Sequence, residues 1–343
     1  MYCAVSPTGA ASIHVFRMKP SDAVLSPSRL EWLDLYRGAA VLAMIETHVV
    51  NTFLAAPLRG GACFARMNYA NGLVAPAFLF IAGLALGLGM RRASGPSRGW
   101  GRKVRRLAGV WLLGYALHFP SAQLFAGHWE EAVRVGTQVD VLQCLAVSLA
   151  LLLACERWAR RWVDALAAGL LVLAVFGAAS AQAWRFAPVG LLTYFNHSTG
   201  SLFPLLPWLG FVCAGFLVSA AAVRERPGWT VLAYAPWIAG AAALAWLVPG
   251  VPGFFFQRLA WIVAFVPAFV FLARKVCPRW LAFAGRESLI LYAAHLLLIE
   301  ALAGMGVARA AHGFAGCVAI YAAVLGLSVA VAAGWSRWQR SRG

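Results

Sequence analysis

The sequence predicts an all-α fold: a polytopic integral membrane helix bundle of about ten transmembrane helices, with both termini in the cytoplasm. Of its 343 residues, 62% are hydrophobic and 12% are charged, whereas a soluble globular domain carries about 25% charged residues. Ten apolar stretches also approach the length of about 20 residues that crosses a bilayer. In order they are 35–55, 72–90, 107–126, 139–155, 162–181, 203–223, 229–248, 258–273, 287–308 and 314–335.

The distribution of cationic residues predicts the orientation of the bundle. If ten spans alternate in direction, all but six of the 29 Lys and Arg residues fall on the side of the two termini. The six exceptions are Arg59, Arg66, Arg134, Arg185, Arg258 and Arg309. Cytoplasmic loops are rich in Lys and Arg, so both termini are expected in the cytoplasm. The net charge of +17 is therefore interpreted as a topology signal and not as a sign of nucleic-acid binding.

Three regions are predicted along the chain: a flexible N-terminal tail at 1–28, a transmembrane domain at 29–336 and a basic cytoplasmic tail at 337–343. The tail lacks the pattern of a signal peptide, and translation could begin at Met1 or at Met18. The seven cysteines contain no CxxC pair, and no set of residues has the spacing of a metal site. No disulfide framework and no bound metal are therefore expected.

The first apolar stretch carries ionisable residues, which are costly at membrane depth and often mark functional sites. Arg37 and His48 fall on nearly the same helical face, roughly 16 Å apart along the axis. Asp34 and Asn51 flank this face, whereas Glu46 points elsewhere. Imidazole is a suitable general base near neutral pH, so His48 is a candidate base, and Arg37 is a candidate for binding an anionic ligand. Alternatively, Asp34 pairs with Arg37 at the headgroups and His48 forms a hydrogen bond inside the bundle.

Polar residues in later stretches have both functional and structural interpretations. Tyr292 and His295 share a helical stripe with Ser288, and His295 is either a site residue or a packing hydrogen-bond donor. Asp140 opens the fourth stretch, where a helix cap explains it equally well. Trp208 opens the sixth stretch, where an interfacial aromatic residue is ordinary.

The basic connection 91–106 contains no Walker pattern and no glycine fingerprint. It is expected to fix topology and to contact anionic lipid, or to attract the phosphates of a cofactor. The connections 56–71, 127–138 and 182–202 are predicted on the outer side and collect polar and aromatic residues.

Several motifs resemble those of one family. In chain order they are Leu33–Gly38 with Met44 and His48, Asn71–Gly72, Pro76–Gly83, Val139–Gln143, Pro204–Gly210 and Gly285–Leu289. Together they are similar to the catalytic domain of heparan-alpha-glucosaminide N-acetyltransferases, a branch of the transmembrane acyltransferases, over roughly residues 29–300. The resemblance implies a multi-pass enzyme of the bacterial cytoplasmic membrane. Such an enzyme moves an acetyl group from cytosolic acetyl-CoA to a glycan or another amine or hydroxyl acceptor on the outer side.

With this resemblance, each candidate site residue is assigned a role. The assignments are catalysis for His48, Asn51, Asn71 and His295, binding of acetyl-CoA for Arg37 and Asp34, and binding of the acceptor for Asp140 and Trp208. Membrane lipid is an expected partner, and nucleic acid is not. The sequence leaves open whether the protein forms a homodimer. Two other functions also stay open: a proton-coupled transporter or permease with a relay through His48, Glu46 and His295, and a non-catalytic membrane subunit.

The chain departs from the family pattern at three positions. Met67 stands four residues before Asn71, where the lysosomal member has a histidine, and His48 stands where that member has an asparagine. Glu287 replaces the commoner asparagine of the Gly-Arg-Asn-Ser motif. If the reaction needs one imidazole, the outer-loop histidine is replaced by His48 on the first helix.

Overall fold

Helices form the regular structure of the computed structural model, which describes residues 30–93, 99–181, 189–224 and 230–341. Within those ranges there is no strand, and one isolated bridge joins Leu54 to His312. The predicted all-α class is therefore confirmed. In chain order the helices are α1 (Glu31–Phe53), α2 (Ala62–Asn71), α3 (Val74–Arg92), α4 (Trp100–Leu117), α5 (Ser121–Phe125), α6 (Trp129–Gly136), α7 (Val141–Ala159), α8 (Val163–Ala181), α9 (Val189–Leu192), α10 (Leu205–Arg224), α11 (Thr230–Leu247), α12 (Gly250–Lys275), α13 (Arg279–Arg286), α14 (Ser288–Gly304) and α15 (Phe314–Arg340).

Each predicted apolar stretch overlaps a long helix, but fewer of these helices meet the length and hydropathy expected of a span. Six segments in the described ranges do so: Ala62–Arg92, Val141–Ala178, Leu205–Val223, Thr230–Leu247, Gly250–Lys275 and Phe314–Arg340. Helices α13 and α14 are bent by 79° relative to each other, and they make a seventh segment if the two form one span. The charged residues of α1 and α4 lower their hydropathy, and α7 and α8 are counted together. The number ten and the cytoplasmic termini therefore stay predictions.

Two predicted boundaries were wrong, those of the connection 91–106 and of the apolar stretch 107–126. The basic connection 91–106 is shorter, because α3 continues to Arg92 and α4 already begins at Trp100. The stretch predicted to end at 126 ends as a helix at Leu117, before Pro120, since proline cannot donate the next backbone hydrogen bond. The outer connection 56–71 contains α2, 127–138 contains α6, and α15 continues into the predicted basic tail as far as Arg340. The predicted tail 1–28 lies outside the described residues.

One end of the bundle holds the N-terminus of α1 and the C-termini of α3 and α12. We call it the basic end, because α3 and α12 both finish in paired cations. Three side-chain contacts join helices here: Arg91 with Asp164, Arg274 Nη1 with Thr230 Oγ1 at 3.0 Å, and Cys277 Sγ with Glu31 Oε2 at 3.2 Å. Every one of these residues belongs to the side predicted as cytoplasmic.

At the opposite end of the bundle, hydrogen bonds hold the connecting segments in place. Two of them join backbone groups, Ala55 N to His312 O at 2.9 Å and Phe203 N to Val139 O at 3.1 Å. A third runs from the side-chain Nε of Arg258 on α12 to Gly72 O at 3.2 Å. The segment before α10 is thereby fixed beside the start of α7. This arrangement brings the connections after α4 and α9 next to the N-terminus of α7.

Small residues let the central helices approach closely, as is common in membrane bundles. A Cβ on Gly83 of α3 would collide with the backbone of Val212, and one on Gly215 of α10 would collide with the backbone of Phe80. The same holds between α1 and α13, where Gly38 meets Leu281. Helix α1 also packs against α3, α12, α14 and α15, so it lies at the centre of the fold.

Candidate active site

Five polar side chains from α1, α14 and the ends of α4 and α7 meet near the opposite end of the bundle. They are His48, His118, Asp140, Tyr292 and His295, and we call them the polar cluster. Three of these residues, His48, Asp140 and His295, were predicted as site residues from the sequence. The structure therefore brings together residues that lie up to 247 positions apart in the sequence.

Asp140 links the helices of the cluster. Its Oδ2 accepts a hydrogen bond of 2.7 Å from the hydroxyl of Tyr292 and lies 3.7 Å from His118 Nε2. Asp140 is also the N-cap of α7 and forms a capping box with Gln143, whose Oε1 accepts the backbone N–H of Asp140 at 3.2 Å. The structural and functional interpretations of Asp140 therefore hold together: the same carboxylate caps a helix and faces an imidazole.

His118 follows the last residue of α4, and both of its ring nitrogens face acceptors. Nδ1 donates to the carbonyl oxygen of Gly114 at 3.1 Å, which turns Nε2 toward Asp140. A Cβ on the buried Gly114 would collide with the carboxamide of Gln143. The absence of a side chain at this position therefore lets α4 approach α7 closely enough to place His118 beside Asp140.

His295 and His48 form an imidazole pair with ring centroids 5.2 Å apart. His295 is fully buried, and its Nδ1 donates to the carbonyl oxygen of Leu291 at 2.9 Å. Its Nε2 is buried and has no hydrogen-bond partner among the described residues. His48 is partly exposed and lies close enough to Asp140 and His118 to interact with both electrostatically. Of the two imidazoles, His48 is therefore the more accessible one.

The predicted donor-binding residues lie at the basic end. Asp34 is buried, and its backbone meets α13 at Gly285, where a Cβ would collide. Arg37 is partly buried on α1, roughly 16 Å of helix rise from His48. Because α13 packs along the first turns of α1, it brings the exposed cations Arg279 and Arg286 to the same end. This end therefore offers guanidinium groups of the kind that bind phosphates.

The two predicted asparagines lie outside the polar cluster. The side chain of Asn71 lies next to that of Glu46, which points about 160° away from His48 around α1. Asn51 is exposed, and its backbone carbonyl accepts a hydrogen bond from Arg59. Met67, at the place of the family's outer-loop histidine, packs on a hydrophobic core cluster of α1, α14 and α15.

Trp208 belongs to an aromatic group at the start of α10. Its ring packs against Phe203 and Phe211, with centroids 4.7 Å and 6.0 Å away. Its Nε1 is buried and has no hydrogen-bond partner among the described residues. The residues before it are held next to Asp140 by the bond from Phe203 to Val139. Its role in binding the acceptor stays a prediction.

His118 is missing from the residues predicted from the sequence, although the same signal was present. It is an ionisable residue within the apolar stretch 107–126, as His48 is within the stretch 35–55. Gln143 lies in a motif of the family resemblance, but its contact with Gly114 depends on tertiary packing. In the described part of the chain, no group of three His, Cys, Asp or Glu residues is arranged to hold a metal ion.

The apolar helices and the polar cluster define an integral membrane protein with a site suited to proton transfer. The family described as "Heparan-alpha-glucosaminide N-acetyltransferase, catalytic" matches residues 29–249, which is more than half of the chain. The chain therefore belongs to this family of membrane acetyltransferases. No curated protein matches it. The match includes His48, His118 and Asp140 and ends before α14, so Tyr292 and His295 join the site from outside the matched residues.

Proposed function

We propose that this protein transfers an acetyl group from cytosolic acetyl-CoA to an amine or hydroxyl of a glycan or a similar acceptor on the other side of the membrane. The observation that carries the proposal is the polar cluster: three imidazoles, a carboxylate and a phenol converge at one end of a bundle whose family is that of membrane acetyltransferases. The cations on α1 and α13 lie at the basic end, where the phosphates of the donor would bind.

His48 is proposed as the general base. It removes a proton from the acceptor amine or hydroxyl, whose lone pair attacks the carbonyl carbon of the thioester. The C–S bond breaks as the new C–N or C–O bond forms, and the proton held by His48 passes to the departing thiolate. No acyl-enzyme is required in this sequence of steps.

The other members of the cluster support His48. A positive charge develops on its ring during the reaction, and the carboxylate of Asp140 stabilises that charge. The hydrogen bond from Tyr292 fixes the position of the carboxylate, and His118 lies beside it. His295 packs beside His48, and the hydrogen bond to Leu291 keeps its proton on Nδ1. We assign His295 to positioning, because it is fully buried.

The donor is proposed to enter from the basic end. Arg37 would bind a phosphate of acetyl-CoA with help from Arg279 and Arg286, and Asp34 supports this region by packing on α13. A long, narrow donor such as acetyl-CoA suits a site in which the phosphate-binding cation and the base are roughly 16 Å apart on one helix. The proposal also includes the topology and the location: ten spans with both termini in the cytoplasm, in a bacterial cytoplasmic membrane.

The experiment uses the purified full chain in detergent with radiolabelled acetyl-CoA and a panel of amino sugars and neutral sugars. Acetylated product is expected from the wild type, and His48→Ala should reduce the rate by a factor on the order of 10² to 10⁴. Added imidazole should restore part of the activity of His48→Ala, because His48 is partly exposed. It should not rescue His295→Ala, because His295 is fully buried.

His128→Ala is the matched control, since His128 is an exposed histidine of the outer connection 127–138. It should keep wild-type activity. Absence of acetyl transfer to every acceptor, or full activity of His48→Ala, would overturn the proposal. Proton-driven flux of a sugar into proteoliposomes without acetylation would favour a transporter instead.

A further inference from the structure

We infer that a membrane phospholipid with an anionic headgroup binds in a groove between α1, α3 and α12, with its phosphate on Arg258. The groove is a cavity of about 220 Å³, and α1 contributes Tyr36, Ala39, Ala40 and Ala43 to its wall. The remaining wall consists of Ala70, Leu73, Val74, Ala77, Phe265 and Phe269. Exposed Ala70 and Phe265 open it to the surface of the bundle.

The lining fits a hydrocarbon chain better than a polar ligand. Tyr36 carries the only side-chain polar atom of the lining, and its hydroxyl already donates to the carbonyl of Ile262 at 2.9 Å. Its ring stacks on Phe269, with the centroids 4.6 Å apart. A ligand with amide groups, such as the pantetheine arm of acetyl-CoA, would leave those groups without partners here.

Arg258 supplies a positive charge at the end of the groove that lies away from the basic end of the bundle. It lies seven residues before Phe265 and eleven before Phe269, so these residues share one stripe of α12. Its Nε donates to the carbonyl of Gly72 at 3.2 Å, directly before the lining residue Leu73. Its guanidinium also lies 3.5 Å from the centroid of the Phe254 ring.

The remaining guanidinium donors of Arg258 suit a phosphate. Within the described residues no carboxylate pairs with Arg258, whose side chain is only partly buried. Arg258 is also one of the six cations that lie away from the predicted cytoplasmic side. A cation at the end of an apolar groove in the flank of a membrane bundle matches the chemistry of an anionic phospholipid: phosphate at the headgroup depth and an acyl chain below it.

This site is separate from the polar cluster. On α1, Ala43 and His48 point in directions about 140° apart. The site therefore goes beyond the proposed acetyl transfer, and lipid binding can be measured without any enzymatic assay.

The test is native mass spectrometry of the full chain in detergent, titrated with phosphatidylglycerol or with phosphatidylcholine of the same acyl chains. Phosphatidylglycerol should bind more tightly, and Arg258→Gln should weaken its binding about tenfold. Ala43→Leu, which fills the groove, should weaken the binding of both lipids. The matched controls are Arg66→Gln, at an exposed cation of α2, and Ala319→Leu, at an exposed alanine of α15; both should bind as the wild type does.

Four further results bear on the inference. Glycerol phosphate alone should not displace the lipid, because the acyl chain contributes to binding. Equal binding of the two lipids, or unchanged binding in both Arg258→Gln and Ala43→Leu with wild-type melting temperatures, would overturn it. Displacement of the lipid by acetyl-CoA would overturn it too, since the groove would then belong to the donor.

Discussion

The hydroxyl of Tyr292 donates a hydrogen bond of 2.7 Å to Oδ2 of Asp140, and this bond joins the N-terminal half of α14 to the N-terminus of α7. The same oxygen lies 3.7 Å from His118 Nε2. One carboxylate oxygen therefore connects three helices of the bundle. The ring of Tyr292 meets His295 edge-on, and His295 in turn lies beside His48. The position of this oxygen therefore determines the electrostatic surroundings of the proposed base.

Tyr292→Phe should lower both stability and activity. The variant keeps the ring but removes the donor to a carboxylate, and a hydrogen bond to a charged group contributes about 1.5–3 kcal/mol. The free energy of unfolding in detergent should fall by an amount in that range, and acetyl transfer should slow about tenfold. Tyr321→Phe is the control, because Tyr321 packs on the hydrophobic cluster of α1, α14 and α15. An equal loss in both variants would contradict a specific role of Tyr292.

Asp140→Asn and Asp140→Ala separate helix capping from electrostatics. Asparagine is as good an N-cap as aspartate, whereas alanine costs about 1 kcal/mol at this position. Asp140→Asn should therefore keep the melting temperature close to that of the wild type but lose activity, because the negative charge near His48 is gone. Asp140→Ala should have both a lower melting temperature and a lower activity. If Asp140→Asn keeps full activity, Asp140 acts as a cap alone.

The ionisable residues of the site were partly predictable from the sequence. His48 and His295 stand out because an imidazole within an apolar stretch needs a partner or a cavity, and both prove to be members of the cluster. His118 gives the same signal, but it lies at a helix end, where a polar residue is ordinary. Local pattern identifies such residues without showing which of them meet.

Their neighbours could not be predicted, because packing between distant helices decides them. Asn71 follows the family motif in the sequence, yet the turn of α1 places Glu46 and not His48 beside it. The bond between Tyr292 and Asp140 spans 152 residues. No periodicity in the sequence encodes a contact between residues so far apart. Such contacts depend on how closely the helices pack, for example where Gly114 lets α4 approach Gln143 of α7.

Gly114→Ala should destabilise the protein, and Gly109→Ala should not. A Cβ at Gly114 meets the carboxamide of Gln143, whereas a Cβ at Gly109 on the same helix meets nothing within 4 Å. Overpacking typically costs about 1–3 kcal/mol, while Gly to Ala at an open helical position stabilises by up to about 1 kcal/mol. Unfolding in detergent measures both. Acetyl transfer should fall only in Gly114→Ala, because α4 carries His118.

The orientation of the bundle is testable with two thiols at its two ends. Cys63 is exposed on α2, near the opposite end, and Cys277 follows α12 at the basic end. In intact cells, a membrane-impermeant maleimide should label a variant with Cys63 as its only cysteine. It should label a variant with only Cys277 after the membrane is permeabilised. The reverse pattern would place the basic end outside and contradict the proposed entry of acetyl-CoA from the cytosol.

The labelling rate of Cys277 after permeabilisation should depend on Glu31. The thiol donates a hydrogen bond to Glu31 Oε2 at 3.2 Å, and this bond raises the pKa of Cys277. A raised pKa means less thiolate at pH 8, and the thiolate is the form that reacts with maleimide. Glu31→Gln removes the carboxylate, so the pKa should fall and labelling at pH 8 should become faster. Cys63 should react at the same rate in both backgrounds, and a change at both thiols would point to a general disturbance of the fold.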